Sequence, residues 1–156
     1  MSKKSVDLLI KYELMLSELY TECAKRFPEL ETFWMGLSDE EIKHADTIKE
    51  LLEEVDGRNL KLNEKRFNIR PLEISMEHAI EITKRVGNNE LDLLATLSLA
   101  LDIEMSLIES NYYEIFAGNT SEINERLKYI RDEERKHAGQ IREMKNSVYN
   151  NHGEYS

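Results

Sequence analysis

Apolar residues recur at intervals of three and four along four long stretches of the chain. This spacing places them on one face of an α-helix, with charged residues on the opposite face. The pattern therefore predicts four amphipathic helices, which cover approximately Lys4–Lys25, Leu30–Val55, Glu90–Phe116 and Glu122–Ser147.

Residues that start or stop helices stand between these stretches. Pro28 follows the first helix, Asp56-Gly57 closes the second and Gly118 closes the third. We expect Asn88–Asn89 to supply the cap of the third helix and Thr120–Ser121 to supply that of the fourth, because these side chains accept hydrogen bonds from the first free amide groups.

The connection between the second and third predicted helices is about 30 residues long and contains Pro71 and a short helical segment, Leu72–Val86. The two other connections are short, so each sequential pair of helices should form an antiparallel hairpin. The long segment must then carry the chain across the bundle. The prediction is an all-α four-helix bundle with one long crossover, containing a short extra helix, between helices 2 and 3.

Composition limits the classes of partner. A chain of 156 residues fits one domain, here residues 1–156. Its formal net charge of -10 disfavours nucleic acid and anionic membranes as partners, and favours cations. Cys23 is the single cysteine, which fits a reducing compartment, and Asp7 and Lys11 interrupt the first apolar stretch too early for a signal peptide or membrane span. We expect a cytoplasmic protein.

The two halves of the sequence resemble each other. DEEIKHA at residues 39–45 returns as DEERKHA at residues 132–138. Glu13 precedes Glu41 by 28 positions, and Glu104 precedes Glu134 by 30. This indicates an internal repeat of one helical hairpin, which would place two equivalent half-sites face to face.

Each predicted helix carries an acid in the middle of its apolar face, where leucines would be expected. Unpaired buried carboxylates are costly and repel one another, so something must neutralise them. Two divalent cations would match four carboxylates in charge, and the Glu-x-x-His spacing adds a neutral nitrogen ligand on the same helical face. The predicted metal ligands are Glu13, Glu41, His44, Glu104, Glu134 and His137.

With this set of residues, nearly the whole chain resembles the rubrerythrin branch of the ferritin-like superfamily, and its ligand set looks like that of bacterioferritin. The resemblance implies a ferritin-like bundle with two iron ions that cycle between Fe2+ and Fe3+. The spacing alone would also tolerate manganese or an unequal metal pair. In the implied site Glu13 and His44 hold one ion, Glu104 and His137 hold the other, and Glu41 and Glu134 bridge both.

Two departures from the family pattern change what is expected. Rubrerythrins with peroxidase activity carry an extra carboxylate three residues after the glutamate of the third helix, whereas this chain has Leu107 there. The movement of an iron ion between two positions, which the resemblance would otherwise imply, is therefore not expected. The chain also lacks a cysteine-rich rubredoxin domain, so electrons would have to come from a separate donor protein. The rubrerythrin branch usually forms dimers, and a homodimer is the expected state.

Other residues near the predicted ligands have less defined roles. Tyr20 follows Glu13 by seven residues on the same face, a spacing also seen in the family, and is expected either to hydrogen-bond a ligand carboxylate and assist electron transfer or simply to pack. Four further acids rotate away from the apolar faces and are interpreted as solvated surface. They are Glu18, Glu40, Glu109 and Glu133.

These observations lead to three hypotheses of function. The first is a di-iron oxidoreductase that reduces hydrogen peroxide or oxygen. The second is a ferroxidase or iron-storage subunit that uses the same site to take up Fe2+. The third is an interaction module in which the metal is only structural.

Overall fold

The computed structural model describes residues 2–57, 62, 68–116 and 120–151. Over these residues the chain forms a helical bundle of five α-helices with two short 3₁₀-helices, at Pro28–Leu30 and Tyr112–Phe116, and no strand. No helix among them has an apolar stretch long enough to cross a membrane. The α-helices are α1 (Ser2–Arg26), α2 (Glu31–Gly57), α3 (Ile69–Gly87), α4 (Leu93–Ser110) and α5 (Ser121–Asn150).

The first, second and fourth helices predicted from the sequence are confirmed, as α1, α2 and α5. The faces predicted to point inward form one core cluster to which all five α-helices contribute. Thr120 caps α5 as expected, its hydroxyl accepting a hydrogen bond from the Ile123 amide at 3.2 Å. The periodicity was sufficient here because each helix has a single apolar face and a charged one.

The predicted bounds of the third helix, Glu90–Phe116, are wrong at both ends. Asn89 has a φ of 62°, and the cap is Asp92, whose side chain accepts from the Ala95 amide at 2.7 Å. At the other end Asn111 has a φ of 50°, in the left-handed region, and a 3₁₀-helix follows. Asparagine tolerates this conformation better than most residues do, so it ends α4 without a glycine.

The crossover helix α3 is longer than the predicted segment and is part of the core. It spans 19 residues and buries one face, formed by Leu72, Ala79, Ile82 and Val86. Ser75, near its start, lies 3.5 Å from the Tyr112 hydroxyl, and Gly87 at its end lies beside Glu22 of α1. Tyr112 packs on Tyr12 of α1, so the start of α3 lies near Tyr12 and its end lies near Glu22. The two helices therefore run parallel.

The directions of the other helices follow from side-chain contacts. Two contacts are compared for each pair of helices. As the residue number rises along one helix it falls along the other, so the two helices of each pair are antiparallel. It follows that α2 and α4 run in the same direction and that α3 returns the chain between them. The contacts are Glu13–His44 and Ser17–Ser38 between α1 and α2, Tyr20–Glu104 between α1 and α4 with Tyr12–Tyr112 just beyond the end of α4, and Glu41–His137 and Glu50–Arg126 between α2 and α5.

Candidate metal centre

The acids and histidines predicted as ligands all lie in the interior of the bundle. None is more than 6% exposed, although glutamate and histidine are seldom fully buried without partners. Four different helices contribute: Glu13 from α1, Glu41 and His44 from α2, Glu104 from α4, and Glu134 and His137 from α5.

His44 lies between two of the predicted ligands. Its Nδ1 is 3.9 Å from Glu13 Oε2 and 3.6 Å from Glu41 Oε2. Glu41 precedes His44 by three residues on α2, so the helix itself brings the two side chains to one face. Glu13 reaches the same point from α1, and the three groups form one side of the candidate centre.

His137 forms the opposite side. Its Nδ1 lies 3.2 Å from Glu41 Oε1, and its ring stacks on that of His44 with 5.0 Å between centroids and 21° between planes. The ligand atoms of Glu41, His44 and His137 lie within 4.8 Å of one another. The two Glu-x-x-His motifs therefore meet across the interface between α2 and α5, as the internal repeat predicts.

The interpretation of Glu40 as solvated surface was wrong. Glu40 contacts Nε2 of His137 through one carboxylate oxygen, and its side chain is only 30% exposed. Glu133 is also half-buried, and its carboxylate lies in the same cluster. The sequence contained a signal for this partial burial. Glu40 precedes His44 by four residues and Glu133 precedes His137 by four, a spacing that places each acid on the same helical face as the histidine. Glu18 and Glu109 are exposed as expected.

Glu41 lies at the centre of the acidic group. Burial raises its pKa well above the usual value, and the charges of Glu104 and Glu134 raise it further, while contact with Glu13 lowers it. These effects require all four carboxyl groups to lie close together. Two adjacent carboxyl groups attract only if a proton or a cation lies between them, so the group as a whole needs positive charge.

Several polar atoms of the centre lack a hydrogen-bond partner within the described part of the chain. They are Glu41 Oε2, Glu104 Oε2 and His44 Nδ1, each essentially inaccessible to solvent. Buried polar atoms are nearly always hydrogen-bonded, so this concentration of unsatisfied acceptors is unusual. Oxygen and imidazole nitrogen are the donor set that binds iron, manganese or zinc, and the residues present therefore fit a bound metal pair.

Tyr20 holds one of the predicted ligands in place. Its hydroxyl donates to Glu104 Oε1 at 2.5 Å, and its ring stacks on Trp34 with 5.9 Å between centroids. Burial, and then the charge of Glu104, raise the pKa of Tyr20 well above its usual value, so the hydroxyl keeps its proton. Tyr20 thus acts as a hydrogen-bond donor that orients Glu104.

Comparisons with known proteins were negative. No protein-family model, curated protein or solved structure matches the chain. The chemistry of the centre is therefore inferred from its own residues.

We expect Glu41→Gln to stabilise the metal-free protein at high pH. Because the folded-state pKa of Glu41 is raised, the folded chain binds this proton more tightly than the unfolded chain does. The resulting stability is complete below about pH 4.3, the usual glutamate pKa, and is lost as pH rises towards the folded-state pKa. The gain in stability from Glu41→Gln is therefore expected to be larger at pH 8 than at pH 5.

Urea unfolding with a chelator present, at pH 5 and pH 8, measures this gain. The exposed Glu109→Gln is the matched control and should follow the wild type at both values. A Glu41→Gln protein no more stable than the wild type at pH 8 would contradict the proposed burial of charge.

We also expect Tyr20→Phe to weaken metal binding. The change removes the hydroxyl that orients Glu104, and loss of a hydrogen bond to a ligand typically lowers metal affinity about 10- to 100-fold. Competition between the protein and a chromogenic chelator for Co2+ measures the affinity. Tyr149→Phe, at a tyrosine that is 67% exposed, is the control, and equal affinities for the two variants would exclude this role for Tyr20.

Proposed function

We propose that this chain is a di-iron carboxylate protein of ferritin-like type, related to the rubrerythrin branch, that reduces hydrogen peroxide or oxygen. One observation carries the proposal: four helices bring four carboxylates and two imidazoles together inside the core, where an oxygen of Glu41 and one of Glu104 accept no hydrogen bond from the described residues. A polar core without function would be expected to pair these oxygens with donors.

The charge and arrangement of the side chains support a two-ion site. Four carboxylates balance two Fe2+ ions, and two imidazoles add neutral ligands. In the proposed assignment Glu41 and Glu134 are shared by both ions, and the contacts of Glu41 with the other acids and with both histidines favour this shared role. The terminal ligands are Glu13 and His44 on one side and Glu104 and His137 on the other.

The direction of the helices also supports the proposal. Because α2 and α4 are parallel, a long connection must return the chain between them, and α3 provides it. A single crossover of this kind is found in ferritin-like bundles and distinguishes them from up-down-up-down bundles.

Bound as a pair, two Fe2+ ions would supply one electron each, and these two electrons with two protons from solvent would reduce one hydrogen peroxide to two water molecules. The protein contributes the surroundings. Tyr20 keeps its proton and fixes one oxygen of Glu104, while Trp34 and the neighbouring apolar residues exclude bulk water from that side. We further propose a cytoplasmic homodimer that receives electrons from a separate donor protein.

Iron uptake is the second candidate function. Leu107, at the position where peroxidase rubrerythrins carry an extra carboxylate, is only 1% exposed and lines a small cavity together with Glu134. A hydrocarbon side chain there offers an iron ion no second position to move to. This favours a fixed pair of sites, which a ferroxidase also requires.

Anaerobic loading with Fe2+, followed by mixing with hydrogen peroxide or with oxygen, tests the proposal. We expect two iron ions per chain and rapid oxidation, seen as an increase in near-ultraviolet absorbance, with repeated turnover when a chemical reductant is supplied. Glu104→Ala should reduce the rate by more than the about 10- to 100-fold that is typical for loss of a group orienting a ligand, because it removes a proposed ligand together with the partner of Tyr20. Glu109→Gln should behave as the wild type. Iron that oxidises no faster than free Fe2+ would rule the function out.

Solution mass separates the two candidate functions. An oxidoreductase of the proposed type should elute at about twice the 18.3 kDa chain mass, because a homodimer is expected. A storage protein needs a closed shell of many chains. Light scattering on the iron-loaded protein measures the mass, and a large symmetric assembly would favour storage.

A further inference from the structure

A second group of possible metal ligands lies outside the candidate centre, on the side facing solvent. Carboxylate oxygens of Glu40 and Glu133 and a ring nitrogen of His137 lie within 4.8 Å of one another. We call these three residues the outer cluster. His137 is fully buried, whereas the Glu40 side chain is 30% exposed, so Glu40 contacts both solvent and the buried imidazole.

A surface groove leads to this cluster. It lies between α2 and α5, has a volume of about 410 Å³, and is lined by Gly36, Glu40 and Glu143 among others. Nothing lies within 4 Å of the position that a side chain on Gly36 would occupy. An ion that enters the groove therefore meets Glu40, which contacts a ligand of the centre.

The surroundings of His137 show how one ring could serve both the outer cluster and the buried centre. Its Nδ1 faces Glu41 inside the centre, and its Nε2 faces Glu40 outside. A neutral imidazole carries a single N–H, so one ring nitrogen always presents a lone pair to a carboxylate, which is unfavourable unless a cation lies there. A doubly protonated ring would donate to both acids but could bind no metal.

The ring can therefore bind an ion on either side, one at a time. With an ion at Nε2, the Nδ1–H group donates to Glu41. With an ion at Nδ1, the Nε2–H group donates to Glu40.

We propose that Glu40, Glu133 and Nε2 of His137 form a transient divalent-cation site that captures metal ions from the groove and passes them to the buried centre. The inference rests on the proposed function, because it assumes that the buried centre binds metal. The two half-buried carboxylates attract the ion, and the imidazole links the two sites because it faces Glu40 through Nε2 and Glu41 through Nδ1.

The rate at which Co2+ fills the metal-free, full-length protein tests the proposal. Trp34 is the single tryptophan and stacks on Tyr20, so its fluorescence reports on the buried centre. In stopped-flow mixing, Glu40→Gln combined with Glu133→Gln should lower the association rate about tenfold, because both capturing charges are lost. The control, Glu53→Gln with Glu125→Gln, removes the same charge from exposed positions on the same two helices.

Three results would overturn the proposal. The double variant could fill at the wild-type rate, or the control could slow equally, which would indicate only general attraction. The variant could also bind Co2+ more weakly at an unchanged association rate, which would reduce Glu40 to an orienting partner of His137.

Should the variant fail to fold by circular dichroism, Gly36→Leu provides a second test. It narrows the groove without changing a ligand and should slow the filling of the protein with Co2+, with Gly36→Ala as its control.

An equilibrium titration separates failure of this inference from failure of the proposed function. The double variant Glu13→Gln, Glu104→Gln weakens the buried centre. We expect calorimetry to show that this protein still binds one Co2+. That binding should be lost when Glu40→Gln and Glu133→Gln are added. Binding of Co2+ by the wild type at the outer cluster alone would reject the proposed function. If the wild type bound Co2+ in the buried centre and the weakened protein retained no ion, the proposed metal site at the outer cluster would be rejected.

Discussion

Repulsion among four buried carboxylates is the interaction on which the rest of this structure depends. Glu41 alone shows its strength, because burial and two neighbouring acids raise its pKa together. Such a group would separate or take up solvent unless the helices that carry it were held in place. The apolar residues above and below each acid supply that restraint, since they bury one continuous core shared by all five α-helices.

The two halves of the centre come from similar sequences but have different surroundings. Glu104 accepts a hydrogen bond from Tyr20, and Tyr20 itself is held by Trp34. The repeat places Asn111 where a second tyrosine would stand, and Asn111 instead ends α4 in the left-handed conformation. The internal symmetry therefore extends to the ligands and not to the groups that orient them, so the two metal positions of the proposed centre are expected to differ in affinity.

Three of the four long helices were predicted with nearly correct bounds, and the burial of all six predicted ligands was predicted as well, because an acid among leucines at helical spacing has only one face to occupy. It did not predict the ends of α4. The apolar pattern continues into Tyr112–Phe116, and only the backbone angle at Asn111 separates the two elements. The contact between Glu40 and His137 was also missed. Spacing shows which residues share a face of their own helix, but this contact depends on how α5 packs against α2.

The arrangement of helices leaves the centre with one closed side and one open side. On the α1 side, Tyr12 packs edge-on against Tyr112 of the 3₁₀-helix that follows α4, Tyr20 stacks on Trp34 of α2, and α3 runs alongside α1. Between α2 and α5 there are half-exposed acids and a groove. This groove reaches Glu40, which contacts His137. Because the crossover helix packs against α1 and α4, the connectivity of the chain itself determines which side of the bundle remains open.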